Sequence, residues 1–273
     1  MKTFEDKVVV ITGGATGIGF SLAKRIGQEG ARIVIAARRK DRLEEAVAKL
    51  AVIGIDATYK ECDVARLADV EALADYAWER HGRVDAIINN AGIPPLISTA
   101  IDARFEDIAR VFRVNVYGAW NGVSVFGKRF LQAKRPAGIY TVGSENSLFN
   151  GVPGGSAYIA GKHALLGMMD ALRIEVPDYI HVGLICPGFV KSEIGENMDL
   201  AMDTDRFTAM VTEQMKAGAF YIVSHAHNMV HIDKRYQEIA GAYKKFAPRY
   251  DGDEEFDVWS IGANAGQSIL GPQ

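Results

Sequence analysis

Tyr158 and Lys162 stand four residues apart in the run Ser156-Ala157-Tyr158-Ile159-Ala160-Gly161-Lys162. On a helix, residues at that spacing share one face, so the ammonium can lie beneath the phenol. A cation there stabilises phenolate and draws a phenol down from its ordinary value of about 10. Such a group can pass a proton to or from a substrate oxygen. The pair gains meaning from a second feature upstream, Thr12-Gly13-Gly14-Ala15-Thr16-Gly17-Ile18-Gly19, which directly follows the apolar run Val8–Ile11. Gly13 permits a sharp turn, and Gly17 and Gly19 let the backbone approach a pyrophosphate and let helix pack on strand. The free amides at the helix start then face the anion.

The first half of the chain has the patterning to position these groups. Short β-branched runs alternate with amphipathic stretches, the pattern of a parallel sheet covered by helices. Strands are expected at Lys7–Thr12, Arg32–Ala36, Thr58–Glu61, Val84–Asn89, Gly138–Val142 and His181–Cys186. Helices are expected at Ile18–Glu29, Arg42–Leu50, Leu67–Arg80, Phe105–Ala133 and Ala157–Val176, the last carrying the Tyr/Lys pair. Ser192–Met215 reads as one or two short mobile helices, Ala219–Val223 as a last strand and Asp233–Phe246 as a final helix. The acidic Pro248–Phe256 stretch breaks the pattern, and the Gly-rich final residues read as loosely held. No repeat or linker interrupts this order, so the fold class is α/β, a single domain over 1–273 on a doubly wound parallel sheet with helices on both faces.

Composition excludes several classes. With 273 residues, 48% of them hydrophobic, and a formal net charge of −3, the chain gives no electrostatic reason to bind nucleic acid or a membrane surface. Met1–Lys7 is polar and Val8–Ile11 is too short for a signal-peptide core. No apolar stretch approaches the roughly 18–20 residues that span a bilayer. Cys62 and Cys186 lack Cys or His neighbours at metal spacing and read as reduced, buried thiols of a cytoplasmic protein.

The spacing T-G-x-x-x-G-x-G, with Asn89-Asn90-Ala91-Gly92, the Y-x-x-x-K pair and Pro187-Gly188 following in order, resembles the short-chain dehydrogenase/reductase family over about residues 5–192. The resemblance implies a Rossmann-type fold and a nicotinamide dinucleotide cofactor. It implies cofactor contacts from Gly13, Thr16, Gly17, Ile18 and Gly19, from Asp63 and Val64 at the adenine, and from Asn89, Ala91 and Gly92 near the ribose. Tyr158, Lys162, Pro187, Gly188, Val190 and Ser192 would complete them around the nicotinamide. Asp63 is open to a second reading as a helix N-cap, and Asn89 as a turn residue. At the end of the second strand, Ala37 stands where a carboxylate would hold a ribose 2′-hydroxyl, and Arg38 follows it. A guanidinium there favours a 2′-phosphate, hence NADP, with NAD the alternative. Arg39 and Lys40 read as a solvated helix start.

By the same resemblance Tyr158 is the acid/base, Lys162 lowers its pKa and binds ribose hydroxyls, and Asn115 anchors a relay water. The plainer reading of Asn115 is an amide satisfied by nearby backbone. The fourth member is a serine that polarises the substrate oxygen. Thirteen residues back from Tyr158, the commonest family spacing, stands Glu145. A carboxylate cannot donate a hydrogen bond unless protonated and would repel a developing alkoxide. Ser144 is therefore the candidate, with Ser147 second, and Glu145 reads as solvated, bonded to loop backbone, or touching a polar substrate. His163 reads as structural, and His225, His227 and His231 lack the carboxylates of a metal site.

The implied activity is hydride transfer between NADP(H) and a secondary alcohol or ketone. Met198, Met202, Phe207 and Met210, with Phe149 and Phe189, suggest a hydrophobic or aromatic substrate under a lid at about Val190–Met215. In layout the tail is similar to that of bacterial dehydrogenases of aryl-ether side-chain alcohols. Two rivals stand beside this reading: a non-catalytic cofactor-binding regulator and a halohydrin-dehalogenase-like lyase. A homodimer through the two long helices is expected, or a homotetramer.

Overall fold

The computed structural model describes residues 2–191 and 200–258. Among these residues seven parallel strands form one sheet: β1 (Val8–Thr12), β2 (Arg32–Ala37), β3 (Ala57–Glu61), β4 (Ala86–Asn89), β5 (Ala137–Val142), β6 (Ile180–Cys186) and β7 (Tyr221–Val223). Their order is β3-β2-β1-β4-β5-β6-β7. The chain therefore reverses direction between β1 and β4, and in such sheets the crevice at the strands' carboxyl ends is where ligands bind.

Alternation along each strand divides the apolar residues between two layers. Val8 and Val10 of β1 face one layer with α3 (Leu67–His81), α5 (Gly118–Ala133) and α6 (Ser156–Glu175). Val9 and Ile11 face the other, with α1 (Gly17–Gln28), α2 (Lys40–Val52) and α7 (Thr204–Ala217). In the first layer Trp78 meets Phe126 and Phe130 at ring-centroid separations of 5.8 and 5.9 Å, joining α3 to α5. In the second, α7 is pinned to α1: Ser21 Oγ donates to Asp205 at 2.8 Å and Lys24 reaches the same carboxylate at 2.6 Å.

The expected long helix is continuous but changes its winding. α4 (Phe105–Val111) passes into a π-helical segment, Phe112–Tyr117, and then into α5. After β6, where one or two short mobile helices are expected, the described residues form a single helix, α7, capped by the Asp203 carboxylate on the Asp205 and Arg206 amides. Phe207 and Met215 are fully buried against the sheet, so they are core and do not line a lid. Their spacing places them with Val211 on one helix face, which the sheet's apolar surface covers. Met198 and Ser192 lie outside the described residues.

Among the described residues, the sheet and its layers lie before residue 227, and residues 227–258 belong to a second, smaller unit. There α8 (Met229–Phe246) begins four residues before the expected start, and Arg249 pairs with Asp253 and Glu254 at 2.6 and 2.7 Å.

Gly122 of α5 leaves room for Asn89: a β-carbon there would stand 1.9 Å from Asn89 Oδ1. Glycine to alanine inside a helix normally stabilises by about 1 kcal/mol. Gly122→Ala should instead destabilise by about 1–3 kcal/mol through overpacking, read from the midpoint of urea unfolding.

Candidate active site

The glycine loop is tied to the end of β4 by residues that the motif reading passes over. Thr12 Oγ1 accepts from the amides of Asn90 and Ala91 at 3.0 and 3.1 Å. Asn90 Nδ2 donates to the carbonyls of Thr12 and Gly13 at 2.9 and 3.1 Å. Gly13 has φ 65°, and a β-carbon on it would lie 2.8 Å from Ala91 Cα. A β-carbon on Gly19 would stand 2.3 Å from the Gly13 carbonyl oxygen. The loop and the strand end thus touch backbone to backbone. Asn90 and Thr12 make this junction; the only sequence signal for them is membership in the two motifs. Asn89 faces the helix layer, where its Nδ2 approaches Thr141 Oγ1 at 3.4 Å.

Thr16 precedes α1 without capping it through its side chain, so its hydroxyl does not occupy the first-turn amides. That leaves an anion-binding helix start beside Gly17 and Ile18. The Asp63 carboxylate accepts from the Ala65 amide at 3.0 Å and closes a turn. Val64 is buried, and its carbonyl is held by Asn121 at 2.8 Å. Ala37 ends β2 opposite Glu61, and Arg38 beyond it is exposed.

At the carboxyl end of β5, Ser144 begins a single helical turn, Glu145–Ser147, whose Asn146 amide donates to Ser144 Oγ at 3.1 Å. The Ser144 hydroxyl lies beside the Tyr158 phenol, where it favours the phenolate. Ser147 instead accepts from the Ser144 amide at 3.3 Å and is fully buried. Lys162 is buried, and its Nζ donates to the Val142 carbonyl at 3.0 Å while standing 5.4 Å from the Tyr158 ring centroid. Burial lowers the Lys162 ammonium to about 8, with Cys186 opposing the change. Tyr158 corrects an expectation: burial raises its pKa, and the Ser144 hydroxyl offsets this only in part. Desolvation of the phenolate outweighs an ammonium that is itself desolvated.

Asn115 lies in the π-helical segment, where its Oδ1 accepts from the Ile93 amide at 2.8 Å and its Nδ2 donates to the Ile93 carbonyl at 3.1 Å. Its amide is thus satisfied by backbone, the plainer of the two readings. His163 bonds the Ile159 carbonyl one turn back at 3.0 Å, a structural role. Glu145 is buried at 6% exposure, so it is not solvated. Its amide donates to the Pro187 carbonyl at 2.9 Å, and its side chain occupies the space that Gly188 leaves open. Val190 is buried and bridges to Met202. Cys62 and Cys186 are free, buried thiols, each pushed up to about 12 chiefly by burial.

A strand–glycine loop–helix unit at the switch point, and Ser144 after β5 with Tyr158 and Lys162 on α6, thus lie at the carboxyl ends of the strands. The family model for short chain dehydrogenases matches residues 7–203. The chain belongs to the short-chain dehydrogenase/reductase family. It is 31% identical to human dehydrogenase/reductase SDR family member 4 over 208 residues, 75% of this chain and 73% of that protein. A short-chain dehydrogenase/reductase from Burkholderia phymatum in complex with NAD superposes with a TM-score of 0.82 at 26% identity, covering 88% of this chain and 96% of that one. The apo form of LigO from Sphingobium sp. strain SYK-6 superposes with a TM-score of 0.83 at 25% identity and covers 100% of both chains. The protein is therefore an NAD(P)-dependent oxidoreductase acting on a CH–OH or C=O group.

The lowered Lys162 ammonium gives a pH prediction. Above about 8 the folded enzyme loses this charge, so kcat/KM should fall as pH rises through that value. Stability moves the other way. Between about 8 and 10.5 the unfolded chain keeps a proton that the fold has released, so this group's contribution rises with pH. A kcat/KM profile flat to pH ~10 would exclude Lys162 as the titrating group.

Proposed function

We propose that the enzyme transfers a hydride between NADP(H) and a secondary alcohol or ketone, with Tyr158 donating or accepting the hydroxyl proton. The observation that carries this reading is Ser144 beside the Tyr158 phenol, with the buried Lys162 5.4 Å from the centre of the phenol ring on the same helix face. A phenol kept neutral by burial is suited to give its proton to a carbonyl oxygen. Ser144 points its hydroxyl at the same oxygen and polarises it. Lys162 supplies positive charge and binds ribose hydroxyls. Asn115, its amide occupied by Ile93, acts by keeping the Ile93 segment against the 112–117 turn, beside which a relay water would sit.

The cofactor's diphosphate fits the start of α1, whose first-turn amides no Thr16 side chain caps. Thr16, Gly17 and Ile18 border it, Asp63 and Val64 take the adenine, and Asn89, Ala91 and Gly92 lie by the ribose. Pro187, Gly188 and Val190 complete the nicotinamide end, with Ser192 outside the described residues. When bound, the cofactor supplies or accepts the hydride. The NADP preference rests on Ala37 and the exposed Arg38; the NAD held by the Burkholderia relative is the observation on the other side.

Ile97 and Phe189, 71% and 56% exposed, support an apolar or aromatic substrate. Phe105, Tyr117 and Trp120 are exposed along the π-interrupted helix, which favours a homodimer through that face, or a homotetramer. Among the described residues no helix is long and apolar enough to cross a membrane. The two free thiols fit a reducing compartment, the cytoplasm.

Tyr158→Phe should keep fold and cofactor binding while losing nearly all turnover. Retention of more than about a tenth of the wild-type rate, a barrier change under roughly 1.4 kcal/mol, would reassign the acid/base. Ser144→Ala should lower the rate about 10²–10³-fold, far more than Ser147→Ala.

The wild type should show the lower KM with NADPH, and Ala37→Asp with Arg38→Ala should reverse that order. A charge-assisted phosphate contact is worth about 1.5–3 kcal/mol, roughly ten- to a hundred-fold in preference. An unchanged kcat/KM ratio in the double variant would place Arg38 outside the cofactor site.

A further inference from the structure

The Ser144 hydroxyl oxygen is approached by two donors from a single residue. The Asn146 backbone amide stands 3.1 Å from Ser144 Oγ, and the Asn146 side-chain Nδ2 stands 3.2 Å from it. A hydroxyl oxygen carries two lone pairs and one proton. With both lone pairs engaged by Asn146, Ser144 has no place for a third donor. What it has left to offer is its proton.

The far side of the Asn146 amide fixes which way it faces. Its Oδ1 accepts from the Gly151 amide at 2.7 Å. A backbone N–H can only donate, so the side-chain oxygen must face Gly151 and the nitrogen must face Ser144. The backbone of the turn is held as well, because the Ser144 amide donates to Ser147 Oγ at 3.3 Å. Asn146 is thus tied at both ends of its side chain, and a flipped amide would set donor against donor at Gly151.

The serine proton rests on a weak acceptor. The Pro187 carbonyl lies 3.4 Å from Ser144 Oγ, a long contact, and it already receives the Glu145 amide at 2.9 Å. That carbonyl therefore stays paired when the serine proton leaves it. On the other side, burial raises the Tyr158 phenol and the Ser144 hydroxyl opposes the rise. A donor opposes it by stabilising phenolate, whereas an acceptor would hold the phenol proton in place.

We propose that Asn146 is a positioning residue that makes Ser144 an obligate donor. By filling both lone pairs it directs the serine proton at the substrate oxygen. It also keeps Tyr158 from spending its own proton on Ser144, so that proton stays available to the substrate. Asn146 acts through Ser144, and the inference rests on the role given to Ser144 above.

Two variants test the clamp. Asn146→Asp keeps the size of the side chain and its acceptor for Gly151, but turns an acceptor toward Ser144. Asn146→Leu keeps the size without charge and offers neither donor nor acceptor; the Gly151 amide it frees is exposed and turns to water. For reduction of an aryl ketone that the wild type turns over, kcat should fall about a hundred-fold in Asn146→Asp and about ten-fold in Asn146→Leu, with KM for cofactor unchanged. In a Ser144→Ala background neither substitution should lower kcat further. Asn146→Asp at wild-type kcat overturns the clamp, because that variant keeps the Gly151 tie and loses only the donor. A loss in Asn146→Asp alone, or one that persists without Ser144, overturns it as well, since it reports added charge or a disturbed loop. A Ser144→Ala variant with wild-type kcat overturns the serine assignment and the clamp with it. Urea unfolding gives a reading that needs no substrate: Asn146→Leu should cost less stability in Ser144→Ala than in the wild type, and equal costs overturn the pairing.

Discussion

A lysine ammonium withdrawn from water is the constraint around which the catalytic edge is organised. Lys162 is held by the carbonyl of Val142, the last residue of β5. Burying such a charge is tolerated only where the donor is well placed and the surroundings are rigid. The bond to Val142 ties the start of α6 to the end of β5, and Gly161 beside it lies near Val116 and Val111. Tyr158, one turn earlier, then falls next to Ser144, two residues past Val142. The distance between Tyr158 and Ser144 is thus set by a helix tied to the end of β5 through the Lys162–Val142 hydrogen bond.

A second set of ties closes the fold on itself. Ser21 and Lys24 of α1 meet Asp205 at the start of α7, and Lys216 near the other end of α7 meets Glu29 beyond α1, at 2.9 Å. α1 is thereby packed along α7. Lys24 and the Ser21 hydroxyl hold the Asp205 carboxyl below its ordinary value, so this junction is charged across the neutral range.

Much of this was legible in the chain itself. Buried parallel strands read as uninterrupted β-branched runs, and every strand of the sheet falls within two residues of its expected bounds. The glycine loop and the Tyr/Lys pair were visible because backbone approach and helix periodicity leave marks in sequence. Ser144 emerged from counting forward from β5, since a strand end is a firmer reference than a loop of variable length. Other features left no such mark. Phe207 and Met215 look the same whether they face a sheet or a ligand. Glu145 reads as solvated until the empty side of Gly188 shows where it goes. Asn90 does its work through contacts with a loop about eighty residues earlier, and no local pattern reports such a partner.

The π-helical segment at Phe112–Tyr117 acts as a phase shifter. A π turn takes up one residue more than an α turn, so the chain downstream is rotated by roughly 100° relative to a uniform helix. α4 can therefore address α6 while α5, on the same axis, addresses α3. Through one continuous rod, α6 and the layer behind β1 and β4 are locked to a common angular reference. Losing a single residue here would leave both halves helical and both apolar stripes intact. It would turn them out of step, so that only one could meet its partner at a time.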